Sequence, residues 1–206
     1  MTKRFFTPSI VLVLSVTLLF LLMPESGFSQ RGRENRQPPE KIMDAVGVMP
    51  GMKIGEAGAG TGFFTFPLAK RVGPTGKIYA NDINEYSLDR VRRRAQEEGI
   101  DNIEIVVGEI TDPLFPEKQL DMIIMVYVLH HLEKPVEFLV NLKQYLKPGS
   151  PLIIIEQDAG KDRTHSSDFM SPKQALETIK KSPFSQIRTE TFLSSDTIYI
   201  CTIKDE

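Results

Sequence analysis

The sequence predicts a doubly wound α/β domain whose mostly parallel sheet carries a C-terminal antiparallel hairpin. Three observations predict it. From residue 40 to residue 181, short apolar runs alternate with charged or amphipathic stretches of helical length, which is the rhythm of successive β-α-β units. One run, Leu120 to Val128, is nearly all apolar apart from Asp121, as expected of a strand covered on both faces. The last two runs, Gln186 to Phe192 and Thr197 to Ile203, alternate apolar and polar residues on either side of Ser194-Ser195-Asp196, the pattern of a hairpin.

Each element follows from local signals. Glu40 to Val46 places Ile42, Met43 and Val46 on one side and stops at Gly47, with Pro50-Gly51 as the next turn, so a short helix is expected. Met52 to Ala57 is a brief first strand, which hands over through Gly58, Gly60 and Gly62 to a helix from about Phe63 to Val72. Gly73-Pro74-Thr75-Gly76 ends that helix. Lys77 to Asn81 is the second strand, Ser87 to Glu98 a charged helix closed by Gly99, and Ile103 to Val107 the third strand. After the strand at 120–128, Glu137 to Leu146 reads as a helix closed by Pro148-Gly149, and Leu152 to Ile155 as the fifth strand. Ser171-Pro172 supplies the cap and first residue of a helix to Lys181.

The chain has 206 residues, 41% of them hydrophobic and 25% charged, the composition of one folded domain with an appendage. With 25 Lys+Arg against 27 Asp+Glu, the net charge is -2. There is no basic excess to neutralise a run of phosphates, so no nucleic-acid partner is expected. Arg90, Arg92, Arg93 and Arg94 share their helix with Glu97 and Glu98 and read as a solvated face. A single cysteine, Cys201, removes internal disulfides and Cys-rich zinc modules, and the three histidines at 130, 131 and 165 form no spaced ligand set, so no metal is expected. Oligomeric state is left open by the sequence.

The first 29 residues are a different kind of polymer. Lys3 and Arg4 precede an uncharged run from Ile10 to Met23 that ends at Pro24, with Gly27 and Ser29 suited to cleavage before Gln30. That is the pattern of a secretory signal peptide. Counted from Phe5 to Met23, however, the apolar stretch approaches spanning length, and Arg31, Arg33 and Arg36 follow it, which suits an uncleaved anchor in contact with the membrane and a domain left in the cytosol. Residues 30–38, polar and Arg-rich, read as a linker, and 39–206 as the domain.

In a doubly wound sheet the ligand crevice lies at the carboxyl ends of the strands, beside the switch point of the strand order. The unusual residues of this chain fall there. Gly58, Gly60 and Gly62 let the backbone approach a ligand where a Cβ would collide, and Glu56 stands at the same strand end, able to meet a ligand amine. A dinucleotide site would place its third glycine at position 63, where this chain has Phe63, which disfavours a nicotinamide cofactor. Asp82 closes the second strand, where a carboxylate can accept both hydroxyls of a ribose. Glu109 follows the third strand and Gly108, placed to accept from an adenine amino group while the N–H of Ile110 meets a ring nitrogen.

In order along the chain, Glu56-Ala-Gly-Ala-Gly-Thr-Gly62, Tyr79-Ala-Asn-Asp-Ile83, Gly108-Glu109, Asp121 to Leu132 and Leu146-Lys-Pro-Gly149 resemble the successive motifs of class I S-adenosylmethionine-dependent methyltransferases of the small-molecule type. The resemblance spans about residues 38 to 203 and implies a Rossmann-like methyltransferase fold with S-adenosylmethionine as cofactor. It implies that Glu56, Gly58, Gly60 and Gly62 line the methionine and sulfonium end, that Asp82 and Ile83 hold ribose and adenine, and that Glu109 and Ile110 contact adenine. Position 109 more often carries Asp in that family, so the longer Glu109 is a departure.

Methyl transfer from a sulfonium is an in-line displacement in which orientation does much of the work, so a dedicated catalytic residue need not exist. Tyr127, His130, His131 and His165 are the candidates, together with Asp158, for contact with a small-molecule acceptor; a histidine could take its proton. Packing or capping is an equal reading for His130 and His131. The leader and the cofactor pull apart, because S-adenosylmethionine is kept in the cytosol. The alternative function is therefore an exported or membrane-tethered nucleoside-binding module of the same fold without turnover.

Overall fold

The computed structural model describes residues 32–161 and 170–204. The chain divides into two units, residues 1–35 and 36–206. The leader expected at 1–29 lies outside the described residues. Among the described residues no helix is long and apolar enough to cross a membrane. Residues 32–36, expected as linker, are helical; the run Gly-Arg-Glu-Asn-Arg holds three strong helix formers, Arg33, Glu34 and Arg36, and Pro38-Pro39 stops it.

The second unit is an open sheet of seven strands: β1 (Lys53–Ala57), β2 (Lys77–Asp82), β3 (Ile103–Val107), β4 (Met122–Val126), β5 (Leu152–Gln157), β6 (Phe184–Glu190) and β7 (Asp196–Ile203). Their order is β3-β2-β1-β4-β5-β7-β6. Among the described residues five α-helices cover it: α1 (Pro39–Val46), α2 (Thr65–Val72), α3 (Glu85–Glu98), α4 (Pro135–Leu142) and α5 (Pro172–Lys181). The central strands explain the long apolar runs. In β4, Met122, Ile124 and Val126 join α1 and α2 in one core, while Ile123 and Met125 join α4 and α5 in the other. Strand β5 divides likewise, with Ile153 and Ile155 on the first side and Leu152 and Ile154 on the second. A strand with helices on both faces has no wet side, so its sequence loses the period of two.

Where boundaries differ from the sequence reading, a specific contact decides. The strand expected at 120–128 is cut to Met122–Val126 because Tyr127 turns into the left-handed region at φ 59°, which ends the pleat; Leu120 makes only a single parallel bridge to Leu146. Helix α3 begins at Glu85 rather than Ser87, since the Asn84 side chain accepts from the Ser87 N–H at 3.2 Å and acts as the cap. Helix α4 starts earlier, at Pro135, and gives way at Lys143–Tyr145 to a 3₁₀ turn. The antiparallel hairpin lies at one edge of the sheet, as expected, with its second strand inward: β7 stands between β5 and β6, antiparallel to both, and β6 is the edge. Ile198 and Ile200 of β7 join one core, Tyr199 and Cys201 the other. Only a strand covered on both faces could take that inner place, and β6, with Gln186, Ile187 and Arg188 exposed, could not.

Candidate cofactor and acceptor site

Strand β1 lies between β2 and β4, so the order reverses at its carboxyl end and the glycine-rich turn that follows sits in the crevice. Gly58, Gly60 and Gly62 all have positive φ, at 79°, 54° and 89°. Beyond that they differ. A Cβ on Gly58 would lie 2.3 Å from a methyl of Val128, and one on Gly62 would lie 2.6 Å from the Phe66 ring. These two are glycines because the protein itself packs there. A Cβ on Gly60 would meet nothing within 4 Å, so this is the turn's open side. The backbone carbonyl of Asn81, the residue before Asp82 in β2, accepts from both the Gly58 and Ala59 N–H groups at 2.9 and 2.7 Å.

The carboxylate of Asp82 closes the turn. One oxygen accepts from the Gly60 N–H at 2.8 Å and the other from the Asn84 N–H at 2.9 Å. Each oxygen keeps a second lone pair for a ligand hydroxyl. Beside it Ile83 is 61% exposed, and Ile110, beyond β3, is 52% exposed. The Glu109 side chain is exposed while its N–H is used by the Asp112 carbonyl at 2.7 Å. Glu56 stands at the carboxyl end of β1, as expected. It is 2% exposed, and one oxygen accepts from the Thr65 hydroxyl at 2.5 Å, under the first turn of α2.

Sequence reasoning passed over Asn81. Its side-chain amide, 3% exposed, donates to the Val106 carbonyl at 3.3 Å and the Pro113 carbonyl at 2.8 Å. With its own carbonyl on the glycine turn, it ties that turn to the loop after β3. The available signal was a polar residue at an inward position of an otherwise apolar strand.

A second polar group gathers at the ends of β4, β5 and β7. Tyr127 donates its hydroxyl to Asp196 at 2.6 Å. His130 stands on a 3₁₀ turn, Leu129–His131, with Nδ1 2.5 Å from a Glu156 oxygen; the other oxygen accepts from the Leu129 N–H at 2.7 Å. The His131 ring lies against that of His130, with centroids 3.9 Å apart, and partial burial together with its neighbour holds its imidazole below the ordinary histidine range. Asp158 accepts from the Thr197 hydroxyl and the Gly160 N–H at 3.0 and 2.9 Å, and Lys161 donates to the carbonyls of Thr191, Leu193 and Asp196. Three of the four histidine and tyrosine candidates therefore share one corner. His165 lies outside the described residues. Glu156 and Asp196, both buried, are the members of this corner that the sequence did not single out.

Asp196 carries a pH-dependent stability. It is fully buried, and burial lifts its carboxyl above the ordinary carboxylate range against the opposing influence of the Tyr127 hydroxyl and the Arg36 and Lys161 charges. Its folded pKa thus exceeds its unfolded one. The folded state holds the extra proton between those values, so the contribution is full at acid pH and lost as pH rises through the folded value. Asp196→Asn keeps an acceptor for Tyr127 and removes the charge. In thermal melts, the variant is expected to gain on the parent as pH goes from acid to neutral; a parent that gains instead would refute this reading.

Comparison with known proteins agrees with the geometry. A methyltransferase domain family matches residues 49–194. The ubiquinone/menaquinone biosynthesis C-methyltransferase UbiE of Laribacter hongkongensis is 30% identical over 114 residues, 55% of this chain and 46% of that protein. The demethylmenaquinone methyltransferase of Lactococcus lactis is 31% identical over 116 residues, 56% of this chain and 46% of that protein. The chain thus matches about half the length of these curated relatives. A crystal structure of a SAM-dependent methyltransferase from Aquifex aeolicus superposes with a TM-score of 0.76 at 26% identity, covering 81% of this chain and 89% of that one. With its strand order, its glycine turn and the match over 49–194, the chain belongs to the methyltransferase domain family, whose cofactor is S-adenosylmethionine.

Proposed function

We propose that the protein transfers a methyl group from S-adenosylmethionine to a small hydroxylated ring compound. The observation that carries the cofactor half is the open turn at Gly60, whose N–H is held by the Asp82 carboxylate with Ile83 exposed alongside. A charged, hydroxyl-bearing nucleoside fits that combination of open backbone, carboxylate and apolar faces. Bound there, the cofactor would supply an activated methyl on sulfur. Asp82 would take the ribose hydroxyls, Ile83 and Ile110 would flank the adenine, the Ile110 N–H and Glu109 would meet its edge, and Gly58, Gly60 and Gly62 would leave room for the methionine part. Glu56, buried beneath the turn against Thr65, would hold the turn's shape and present its charge to the methionine amine through the backbone above it.

The acceptor half rests on the corner formed by Tyr127, His130 and His131, whose aromatic faces and polar atoms suit a flat, hydroxylated molecule. Relatives named for ubiquinone/menaquinone biosynthesis and for demethylmenaquinone support a ring acceptor. A lipid-soluble acceptor also gives the leader a purpose: an uncleaved anchor at residues 5–23 would keep a cytosolic domain, with its cofactor supply, beside the membrane where the acceptor dissolves.

Calorimetric titration with S-adenosylmethionine, S-adenosylhomocysteine and NAD tests the first half, with micromolar binding expected for the two sulfur nucleosides only. Incubation with 1,4-dihydroxynaphthalene, a soluble reduced naphthoquinone, and mass analysis for a methylated product tests the second. Recovery of the full chain in salt-washed membranes tests the tether. A folded protein that binds neither sulfur nucleoside would overturn the cofactor assignment and favour an exported binding module of the same fold without turnover.

A further inference from the structure

The loop that follows β3 folds back sharply and is held from two sides. Its start is tied to β2: the Gly108 N–H donates to the Asp82 carbonyl at 3.1 Å, and a Cβ on Gly108 would lie 2.3 Å from the Asn81 amide nitrogen. Its return is tied to the end of α4 and the 3₁₀ turn after it. There the Asn141 amide donates to the Thr111 carbonyl at 2.9 Å, and the Tyr145 hydroxyl donates to one oxygen of Asp112 at 2.6 Å. The same oxygen accepts from the Leu114 N–H at 2.9 Å, while the Gln144 amide stands 3.4 Å from the other. Between the two ties the Glu109 N–H donates to the Asp112 carbonyl at 2.7 Å and closes the loop, leaving Glu109 and Ile110 exposed at its tip.

The return does not hold itself. Leu114 sits at φ 54°, a left-handed conformation that is unfavourable for a residue with a side chain, and such a residue persists only where its surroundings over-determine it. Asp112 supplies that constraint, because its carboxylate binds the N–H of Leu114 itself. Tyr145 in turn fixes Asp112. It is 4% exposed and its ring meets Phe115 edge-on, with centroids 5.5 Å apart. Burial, together with the hydrogen bond and charge of Asp112, pushes its hydroxyl above the ordinary tyrosine range, so it stays a neutral donor at working pH. A rigid donor from the core thus holds a strained loop through one half-buried carboxylate.

We propose that Asp112 and Tyr145 are positioning residues for base recognition: they hold the Glu109 carboxylate and the Ile110 N–H in the register that reads a 6-amino purine. This rests on the cofactor reading above. Adenine presents a donor at its 6-amino group and an acceptor at ring N1, the complements of a carboxylate and an N–H. A 6-oxo purine reverses both, with an acceptor at position 6 and a donor at N1. The two protein groups sit on consecutive residues, so a loop that shifts moves both off the base edge together. Glu109 has one more rotatable bond than an aspartate would, and its aim depends the more on the backbone that carries it. The groups assigned to ribose and methionine, Asp82 and the glycine turn, lie on other turns.

Calorimetric titration of the full chain with S-adenosylhomocysteine and its 6-oxo analogue, S-inosylhomocysteine, separates this from a structural role. General damage to the fold weakens both ligands alike and leaves their ratio unchanged. The parent is expected to prefer the adenine form by about 100-fold, two reversed contacts at roughly tenfold each. In Asp112→Ala the preference is expected to fall to about tenfold or less, with affinity for the inosine form within about threefold of the parent. Tyr145→Phe keeps the ring against Phe115 and deletes only the hydroxyl, and it should lower the preference by about threefold or more. Asp112→Asn is the rescue. Its one acceptor oxygen has two lone pairs, for Leu114 and Tyr145, and its NH₂ can donate to the Gln144 amide oxygen, so the preference is expected within about twofold of the parent. A parent that binds both forms equally, a preference unchanged in Tyr145→Phe, or an asparagine variant as indiscriminate as the alanine one overturns the assignment. Should Asp112→Ala fail to fold, Tyr145→Phe decides alone. A parent that binds neither ligand overturns the cofactor reading instead.

Discussion

Asp82→Ala is expected to lower affinity for S-adenosylmethionine and S-adenosylhomocysteine by about 100-fold or more, since each hydrogen bond to a charged group contributes roughly 1.5–3 kcal/mol and two ribose hydroxyls would lose theirs. A second cost comes from the protein side. The carboxylate holds the Gly60 N–H at 2.8 Å and the Asn84 N–H at 2.9 Å, so its removal frees the open residue of the glycine turn and weakens the start of α3. Asp82→Asn is not a mild version of the change. Both backbone partners are donors, and an asparagine can offer an acceptor to only one of them. Calorimetry on both variants checks this, with circular dichroism to show that each remains folded. Near-parent affinity in the alanine variant would remove Asp82 from the cofactor site.

Gly58→Ala is expected to cost the most stability of any single methyl addition in the turn. The added Cβ would stand 2.3 Å from a methyl of Val128, far inside contact distance, and overpacking of that kind costs about 1–3 kcal/mol. The backbone at φ 79° adds roughly 1–2 kcal/mol for a residue with a side chain. Together these approach half the total stability of many domains of this size, about 5–15 kcal/mol. The same substitution at Gly60, where nothing stands within 4 Å, carries the backbone cost alone. Denaturant unfolding of the two variants should therefore separate them by the overpacking contribution. Adding Val128→Ala to Gly58→Ala should recover part of the loss and leave the backbone share, a non-additive pair as expected for residues in contact. Equal destabilisation at positions 58 and 60 would show that Val128 yields freely.

The two groups of predictions fall on the two halves of the crevice. Changes at Asp82 and the glycines test the proposed nucleoside end, and changes at Asp196 test the corner formed by Tyr127, His130 and His131. Val128 joins them, since it both fills the space over Gly58 and leads into the His130 turn. A mutation there should disturb both binding and turnover, which distinguishes it from mutations on either side.

Much of this was written in the chain. The alternation of apolar runs and charged stretches dictates an α/β sheet because each helix needs one apolar face and each central strand needs two. Glycines at 58, 60 and 62 and an aspartate at 82 mark the crevice because positive φ and a strand-end carboxylate are local requirements, visible one residue at a time. What sequence could not decide depends on residues that meet only when the sheet is assembled. Strand β7 takes the inner place over β6 because its residues are buried on both faces, a fact of packing rather than of alternation. The reason Gly58 and Gly62 are glycine lies in Val128 and Phe66, remote or folded back in the chain. The bond that Glu56 accepts from the Thr65 hydroxyl joins the end of β1 to the first turn of α2, nine positions on. Asn81, Glu156 and Asp196 looked like ordinary strand residues, yet each becomes a buried polar group whose partners lie 25 to 69 positions away. The sequence determined the layers and the glycine turn at the carboxyl end of β1, which are set by local backbone and hydrophobic period. Only tertiary structure decided how Glu156 and Asp196 pair with His130 and Tyr127, because the pairing of a buried charge is a property of the strands that converge on it.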